Sequence, residues 1–458
     1  AIRAMFAQKM PAIFNAVAPA GRALNVGAIP FHSLAEPPIV AVQDIRSLRL
    51  LSRAHKAKEV VLVLSRTTRD EVHEFNTILN SMGKERPKIH IVPAKHKSLD
   101  GMRLQPKELA ANFIINHLVR VDDPWMRDCT IPVALKGAGG RISLAVIDPL
   151  RGRGLGQVPW ALGRRWSCPR LVPPNLEAEW GGDNGGNVLV TPDNIAVLGG
   201  NCSPPFRRFL AALGYGGRMV FVDTWWRFGS LGGGHVDEIL TILPAPSTPS
   251  GYVIAVADPA LGLRLLRKIK EEEILAELEG MLRSLFRLRP LYPSSFPKEE
   301  AVLGMKMVSE VGLLYSTLHG AKGPAFFDAM LSKELNERID SVINMTIADL
   351  TTKLRELRPD LANIPIVRLP TLLRHEKDGR AGSMIPELVN SVHLGRDIIL
   401  PCPLLRPFRH YAEKALAEVG LKSHFIPSAT YHNQRGQLHC ATVVRRSTDQ
   451  FIHERYAK

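Results

Sequence analysis

The chain has 458 residues, 45% hydrophobic and 22% charged, proportions of a globular protein that exclude a fibrous or intrinsically disordered one. Lys and Arg outnumber Asp and Glu by 59 to 44, and the formal net charge of +15 is spread along the chain, which favours acidic partners or membrane surfaces without naming one. No run reaches the roughly 18 uncharged apolar residues of a spanning helix, so no transmembrane segment is expected. In chain order, residues 1–35 contain no acidic residue and carry Arg3, Lys9 and Arg22 among alanines with Phe6, Ile13, Phe14 and Val17. That is the composition of an organellar transit peptide, or of a basic docking arm. We expect residues 1–57 to form such an extension, with a mitochondrial or otherwise cytoplasmic location, and residues 58–458 to form the folded body.

The apolar run 60–64 reads as a buried strand, 68–82 as an amphipathic helix and 89–92 as the next strand. The same order recurs at 195–198, 205–213 and 219–222, and again at 398–400, 411–419 and 424–426. Strand, helix, strand repeated in this way argues for α/β architecture. The longest helical pattern runs over 263–289, with Leu266, Ile269, Leu278, Met281, Leu282 and Leu285 on one side and Lys268, Glu271, Glu272, Glu279 and Arg283 on the other. The proline-rich 290–297 ends it without marking a domain boundary, because α/β units resume afterwards. The five cysteines, Cys129, Cys168, Cys202, Cys402 and Cys440, are odd in number and form no C-x-x-C pair. They read as free thiols of a reducing compartment, one of them functional.

Gly152 to Gly156 has the wrong glycine spacing for a dinucleotide fingerprint, and Gly181 to Gly186 lacks the lysine of a phosphate loop. No H-E-x-x-H or paired cysteine set is present, so no zinc site is expected. Four other segments carry chemistry together: Asp123-Pro124-Trp125-Met126-Arg127-Asp128, Gly182-Asp183-Asn184-Gly185-Gly186-Asn187, Gly234-His235-Val236-Asp237-Glu238 and Gly436-Gln437-Leu438-His439-Cys440-Ala441-Thr442. They supply carboxylates, a histidine and a thiol, the set needed to attack a guanidinium group. Carboxylates match the planar N–H fork of that cation. A thiolate adds to its carbon, and a histidine moves protons for the departing ammonia and the incoming water.

With Asp148, Arg151-Gly152-Arg153-Gly154, Pro386 to Asn390 and the run from His439 to Arg446, these segments resemble the catalytic domain of protein-arginine deiminases, within the guanidino-group-modifying superfamily. The resemblance covers roughly residues 58–458. It implies a pseudo-fivefold α/β propeller of ββαβ-type modules around a narrow channel, and hydrolysis of peptidyl arginine to citrulline. Cys440 would be the nucleophile, His235 the general acid and base, and Asp128 and Asp237 the guanidinium ligands. Trp125, Arg153 and Asn390 would contact substrate, and Asp183 and Asn184 would shape a glycine-rich turn. The immunoglobulin-like domains that precede this domain in animal members are expected to be absent. The positions the family uses for calcium hold Arg127, Cys129, Ile131 and Leu189, so calcium activation is expected to be lost or weakened and no other cofactor is expected. Two alternatives stay open: deimination of a small free guanidine, and a structural subunit of a mitochondrial assembly, ribosome or respiratory complex, that meets RNA or protein through its basic surface and arm.

Overall fold

The computed structural model describes residues 47–51, 53–64, 75, 77–78, 81–82, 87–93, 113–115, 123–136, 142–151, 155–174, 181–224, 234–287, 298–361, 363–376, 380–428, 431–432 and 436–448. Five times along the chain the backbone repeats one unit, an antiparallel pair of strands followed by a third strand parallel to the second. Ile131–Lys136 pairs antiparallel with Ile142–Ile147, which pairs parallel with Arg170–Leu171 after the helix Val158–Arg165. Val188–Val190, Ala196–Gly199 and Met219–Val222 repeat the unit across the helix Pro204–Leu210. Leu240–Pro244, Tyr252–Asp258 and Ile366–Pro370 form the next. Val392–Leu394, Asp397–Pro401 and Lys422–Ile426 follow, with the helix Arg406–Glu418 as crossover.

The fifth unit joins the two ends of the described chain. Thr442–Arg446 pairs antiparallel with Ala57–Leu64, which pairs parallel with Lys88–Pro93, itself parallel to Phe113–Ile115. First strands of all five units, represented by Ile131, Val188, Ile242, Val392 and Thr442, line one common cavity. The architecture is therefore α/β, a pseudo-fivefold propeller with a channel down its axis. Three of the hairpin turns need left-handed backbone, met by Asn194 (φ 68°), Gly251 (φ 72°) and Gly395 (φ 76°), residue types that tolerate it. The middle strands are sandwiched between channel strands and outer helices, so Tyr252–Asp258 is buried at every position and reads as a continuous apolar run rather than an alternating one.

Three expectations need correction. The helical pattern 263–289 is two helices, Pro259–Lys268 and Glu271–Arg287, because Ile269 turns to extended backbone (ψ 129°) and its carbonyl accepts the Tyr315 hydroxyl at 3.2 Å. Two longer helices, Lys298–Leu318 and Phe327–Leu357, follow without having been anticipated, so the third unit's crossover is a four-helix insertion. The boundary at 57 falls inside the body: Ser47–Leu50 pairs antiparallel with Ile131–Lys136, and Leu48 and Leu50 belong to its core. Residues 1–46, most of 68–82 and 290–297 lie outside the described residues.

Candidate active site

The candidate side chains share one structural address. Asp128 stands three residues before its unit's channel strand, Gly186 two before, Asp237 three before, Asn390 two before and Cys440 two before. Each lies in a short turn that delivers the chain to the channel strand, so a ring of five strands brings them to the same end of the axis. Asp128 sits on the one-turn helix Met126–Cys129, and Gly185–Asn187 and Val236–Glu238 are single 3₁₀ turns.

Gly186 marks where they converge. A Cβ there would lie 2.8 Å from His235 Nδ1, 3.0 Å from Asp128 Oδ1 and 3.2 Å from Asp237 Oδ1. Asp128 and Asp237 are buried, and neither Oδ1 has a hydrogen-bond donor among the described residues. Two carboxylate oxygens therefore face one small space, beside an imidazole 3.6 Å from Asp128. The other oxygens are committed: Asp128 Oδ2 meets Arg151 Nη1 at 3.2 Å, and Arg151 also reaches Asp123 Oδ2 at 3.5 Å.

Cys440 Sγ lies 3.7 Å from Asp237 Oδ2. Asn390 holds it in place: its Nδ2 donates to Cys440 Sγ and to the Asp237 carbonyl, both at 3.2 Å, and its Oδ1 accepts from the backbone N–H of His439 at 2.9 Å and of Cys440 at 3.2 Å. Asn390, read above as a substrate contact, is thus placed as the clamp of the thiol loop. Burial, and then the charges of Asp237, Asp128 and Glu238, hold the Cys440 thiol well above its ordinary pKa. Burial and the neighbouring Asp128 push Asp237 up to about 8, against the pull of Arg127 and Arg53. His439 Nδ1 makes the tightest contact, 2.6 Å to Asp237 Oδ2, and burial followed by Arg53, Arg127 and Arg446 keeps its imidazole neutral, far below the ordinary range.

Trp125 packs over the thiol loop with Tyr431, Cys440 and Ala441, its ring centroid 6.2 Å from that of Tyr431. Gly436 permits this, because a Cβ there would come within 2.4 Å of the indole. Asp183 accepts from the Ser203 N–H at 2.7 Å and from its hydroxyl, which caps the helix Pro204–Leu210. Asn187 ties the turns together, donating to Gly182 O and Asn201 Oδ1 at 2.7 Å and accepting from Val236 N–H at 3.0 Å. Arg153 lies outside the described residues. Arg151, Gly186 and His439 were not singled out in the sequence. Each adjoins or lies within a quoted motif, but nothing in spacing says which member of a motif faces inward.

The calcium positions offer a cation rather than ligands. Arg127 Nε donates to Gly185 O and its Nη2 to Val188 O, both at 3.0 Å, and Arg127 N–H donates to Cys440 O at 2.9 Å. Ile131 and Leu189 are buried apolar residues. The Cys129 thiol donates to Met126 O at 3.2 Å, its pKa raised by burial. Asp148 accepts from Leu150 N–H at 2.8 Å and faces Arg170 at 3.6 Å. A hard cation needs six to eight oxygens, and this donor set does not fit calcium.

Fold and site together define an α/β propeller of the guanidino-group-modifying class. The chain belongs to the protein-arginine deiminase (PAD) family, whose model matches residues 201–452. It is 24% identical over 361 residues to human protein-arginine deiminase type-4, covering 72% of this chain and 47% of that protein. It is 27% identical over 276 residues to human type-1, covering 58% and 34%. The chain thus spans about half the length or less of these curated relatives. Among solved structures, agmatine deiminases share the fold: that of C. jejuni at TM-score 0.50 and 11% identity, covering 88% of this chain and 97% of that one, and that of Enterococcus faecalis at 0.50 and 10%, covering 90% and 100%.

Proposed function

We propose that the chain hydrolyses a guanidinium group to a ureido group and ammonia, with arginine in a peptide as the substrate. The observation that carries this reading is the pair of buried, donor-free oxygens, Asp128 Oδ1 and Asp237 Oδ1, converging over Gly186 beside the Cys440 thiol. A planar cation with N–H groups on adjacent edges satisfies both. Burying two carboxylates this close to each other is costly, which is why Asp237 resists ionisation.

The cation supplies the charge that both Asp237 and the thiol lack. On binding it favours the Asp237 carboxylate and the Cys440 thiolate. Sγ adds to the guanidinium carbon, and collapse of the tetrahedral adduct expels one nitrogen as ammonia, protonated by His235. His235 then takes a proton from water as that water attacks the S-linked amidinium carbon. The C–S bond breaks, returning the thiolate and leaving the neutral ureido product. Trp125 over Gly436 forms one wall for the aliphatic stem. A pocket that abuts Asn390 and Gly436 is lined by Glu238, Glu376 and Glu387 and by Arg374, which pairs with Glu376 at 2.8 Å, and its excess of carboxylates favours entry of a cation.

Calcium has no part in this scheme. Arg127 donates to the carbonyls of Gly185 and Val188 and holds positive charge near Asp237, Asp128 and Cys440, so a tethered guanidinium braces the turn that carries Gly186. The test is ureido formation from an arginine peptide, free arginine and agmatine, in calcium and in chelator, with Cys440→Ser as control. Peptide turnover that survives chelation and vanishes in the variant is the expected result. Preference for a free guanidine would reassign the substrate, and no product from any guanidine by folded protein would overturn the reading.

A further inference from the structure

The axial channel continues behind the reaction centre into a cavity with about 640 Å³ of space unoccupied by atoms, open solvent included. Among the described residues its charged and titratable lining consists of Arg53, Arg127, Arg446, His393 and His439, with no carboxylate. Two of the arginines are committed to backbone carbonyls. Arg446 donates to Arg53 O at 3.3 Å, His55 O at 2.9 Å and His393 O at 3.0 Å, and Arg127 donates to Gly185 O and Val188 O.

Arg53 and His393 are not satisfied in this way. Arg53, 9% exposed, uses Nη1 on Ser391 O at 3.2 Å, whereas its buried Nη2 has no hydrogen-bond partner among the described residues. His393 is 1% exposed, and among the described residues neither ring nitrogen reaches hydrogen-bond geometry, its approach to the Arg53 backbone included. Unpaired buried donors are costly, charged ones most of all. A water molecule would supply hydrogen bonds but add no negative charge to a cluster of three arginines that Asp237 and Asp128 offset only from the site side. Among apolar walls of low dielectric the charge of that cluster is poorly screened, and burial together with mutual repulsion lowers both Arg53 and Arg446 to about 9.

We propose that this cavity binds one small inorganic anion, held by Arg53 Nη2 and His393 on the side of the channel opposite the two site carboxylates. The anion neutralises the arginine cluster. It lies beside His439, whose other face bonds Asp237, so its occupancy is coupled to the charge of the reaction centre. The proposal does not rest on the deiminase reading and is tested by binding alone.

The full chain is dialysed into a buffer whose anion is a bulky sulfonate and titrated calorimetrically at fixed ionic strength with sodium phosphate and with sodium bromide. One saturable equivalent is expected, and the anion that gives it separates a tetrahedral oxyanion from a halide. Loss of one charge-assisted contact in Arg53→Gln, or of the imidazole in His393→Leu, is expected to weaken binding about tenfold or more. Crystals of the unsubstituted protein soaked with the anion that binds are expected to show it within about 3.5 Å of Arg53 Nη2, a readout that does not depend on either variant folding. No saturable heat from folded protein, unchanged affinity in folded variants, or crystals with no anion in the cavity would overturn the proposal.

Discussion

At the scale of single residues, Gly186 is the most sensitive position. Gly186→Ala places a methyl group where the substrate nitrogen is read to sit, 3.0 Å from Asp128 Oδ1 and 2.8 Å from His235 Nδ1. The atoms it meets are side-chain ends that can shift, so the fold should survive with a cost of about 1 kcal/mol. We expect kcat/KM to fall by about a hundredfold or more, since displacing a reacting group by an ångström costs that much; steady-state kinetics beside thermal unfolding separates the two effects. Asp237 carries a second prediction. With its carboxyl pushed up to about 8 in the folded chain and in the ordinary carboxyl range when unfolded, stability is full at low pH and is lost as pH rises toward 8. Asp237→Asn should therefore be inactive yet more stable than the parent by about 2 kcal/mol above that pH, with the advantage shrinking toward about pH 4. Urea unfolding at several pH values measures the sign directly. In the parent, kcat/KM should rise with pH through an apparent value near 8, because that ratio reports the free enzyme. Which residue types the site holds was legible in the motifs. That Asn390 clamps the thiol loop and that Gly186 must be bare was not, because both follow from where turns of distant units meet.

At the scale of elements, the units with a short crossover were readable and the one with a long insertion was not. Runs such as Met219–Val222 and residues 398–400 within Asp397–Pro401 are short and continuously apolar, and their brevity separates them from helices that repeat every 3.6 residues. Phe327–Leu357 hides because its buried residues, among them Leu335, Asn336, Ile339 and Ile343, include a polar one, and because exposed Met345 and Phe327 blur the stripe. Asn336 explains its own presence. Fully buried, it donates to Ser332 O and Leu373 O at 2.6 Å and accepts from Leu373 N–H at 2.9 Å, which joins the helix to the strand Leu373–His375. Asn336→Ala removes three hydrogen bonds and leaves a buried backbone pair unsatisfied. We expect a loss of about 2 to 4 kcal/mol by denaturant unfolding with turnover per folded molecule unchanged, since the three bonds of Asn336 stay within the helix and Leu373.

At the scale of the whole molecule, ring closure and charge belong together. The unit that closes the ring is made from Ala57–Leu64 and Thr442–Arg446, so the last described strand pairs with one of the first. The same strand delivers Cys440 at its start and Arg446 at its end. Fivefold closure could not be read from periodicity, because nothing local in the strand Ala57–Leu64 announces a partner nearly four hundred residues away. Along the axis, glutamates in excess over Arg374 line the pocket beside Asn390 and Gly436 and arginines line the cavity beside His439, with Asp237 and His439 in contact, so the proposed reaction centre lies in the field of both. A chain ending at Ala441 loses the closing strand, including the buried Val443 and the three carbonyl contacts of Arg446. It also exposes the long apolar edge of Ala57–Leu64, which invites association. We expect this truncation to abolish cooperative thermal unfolding and to elute as aggregate on gel filtration, although it retains every proposed catalytic side chain. A truncated chain that stays monomeric and unfolds in one sharp transition would mean that four units suffice and that the closing strand serves only to hold the thiol loop.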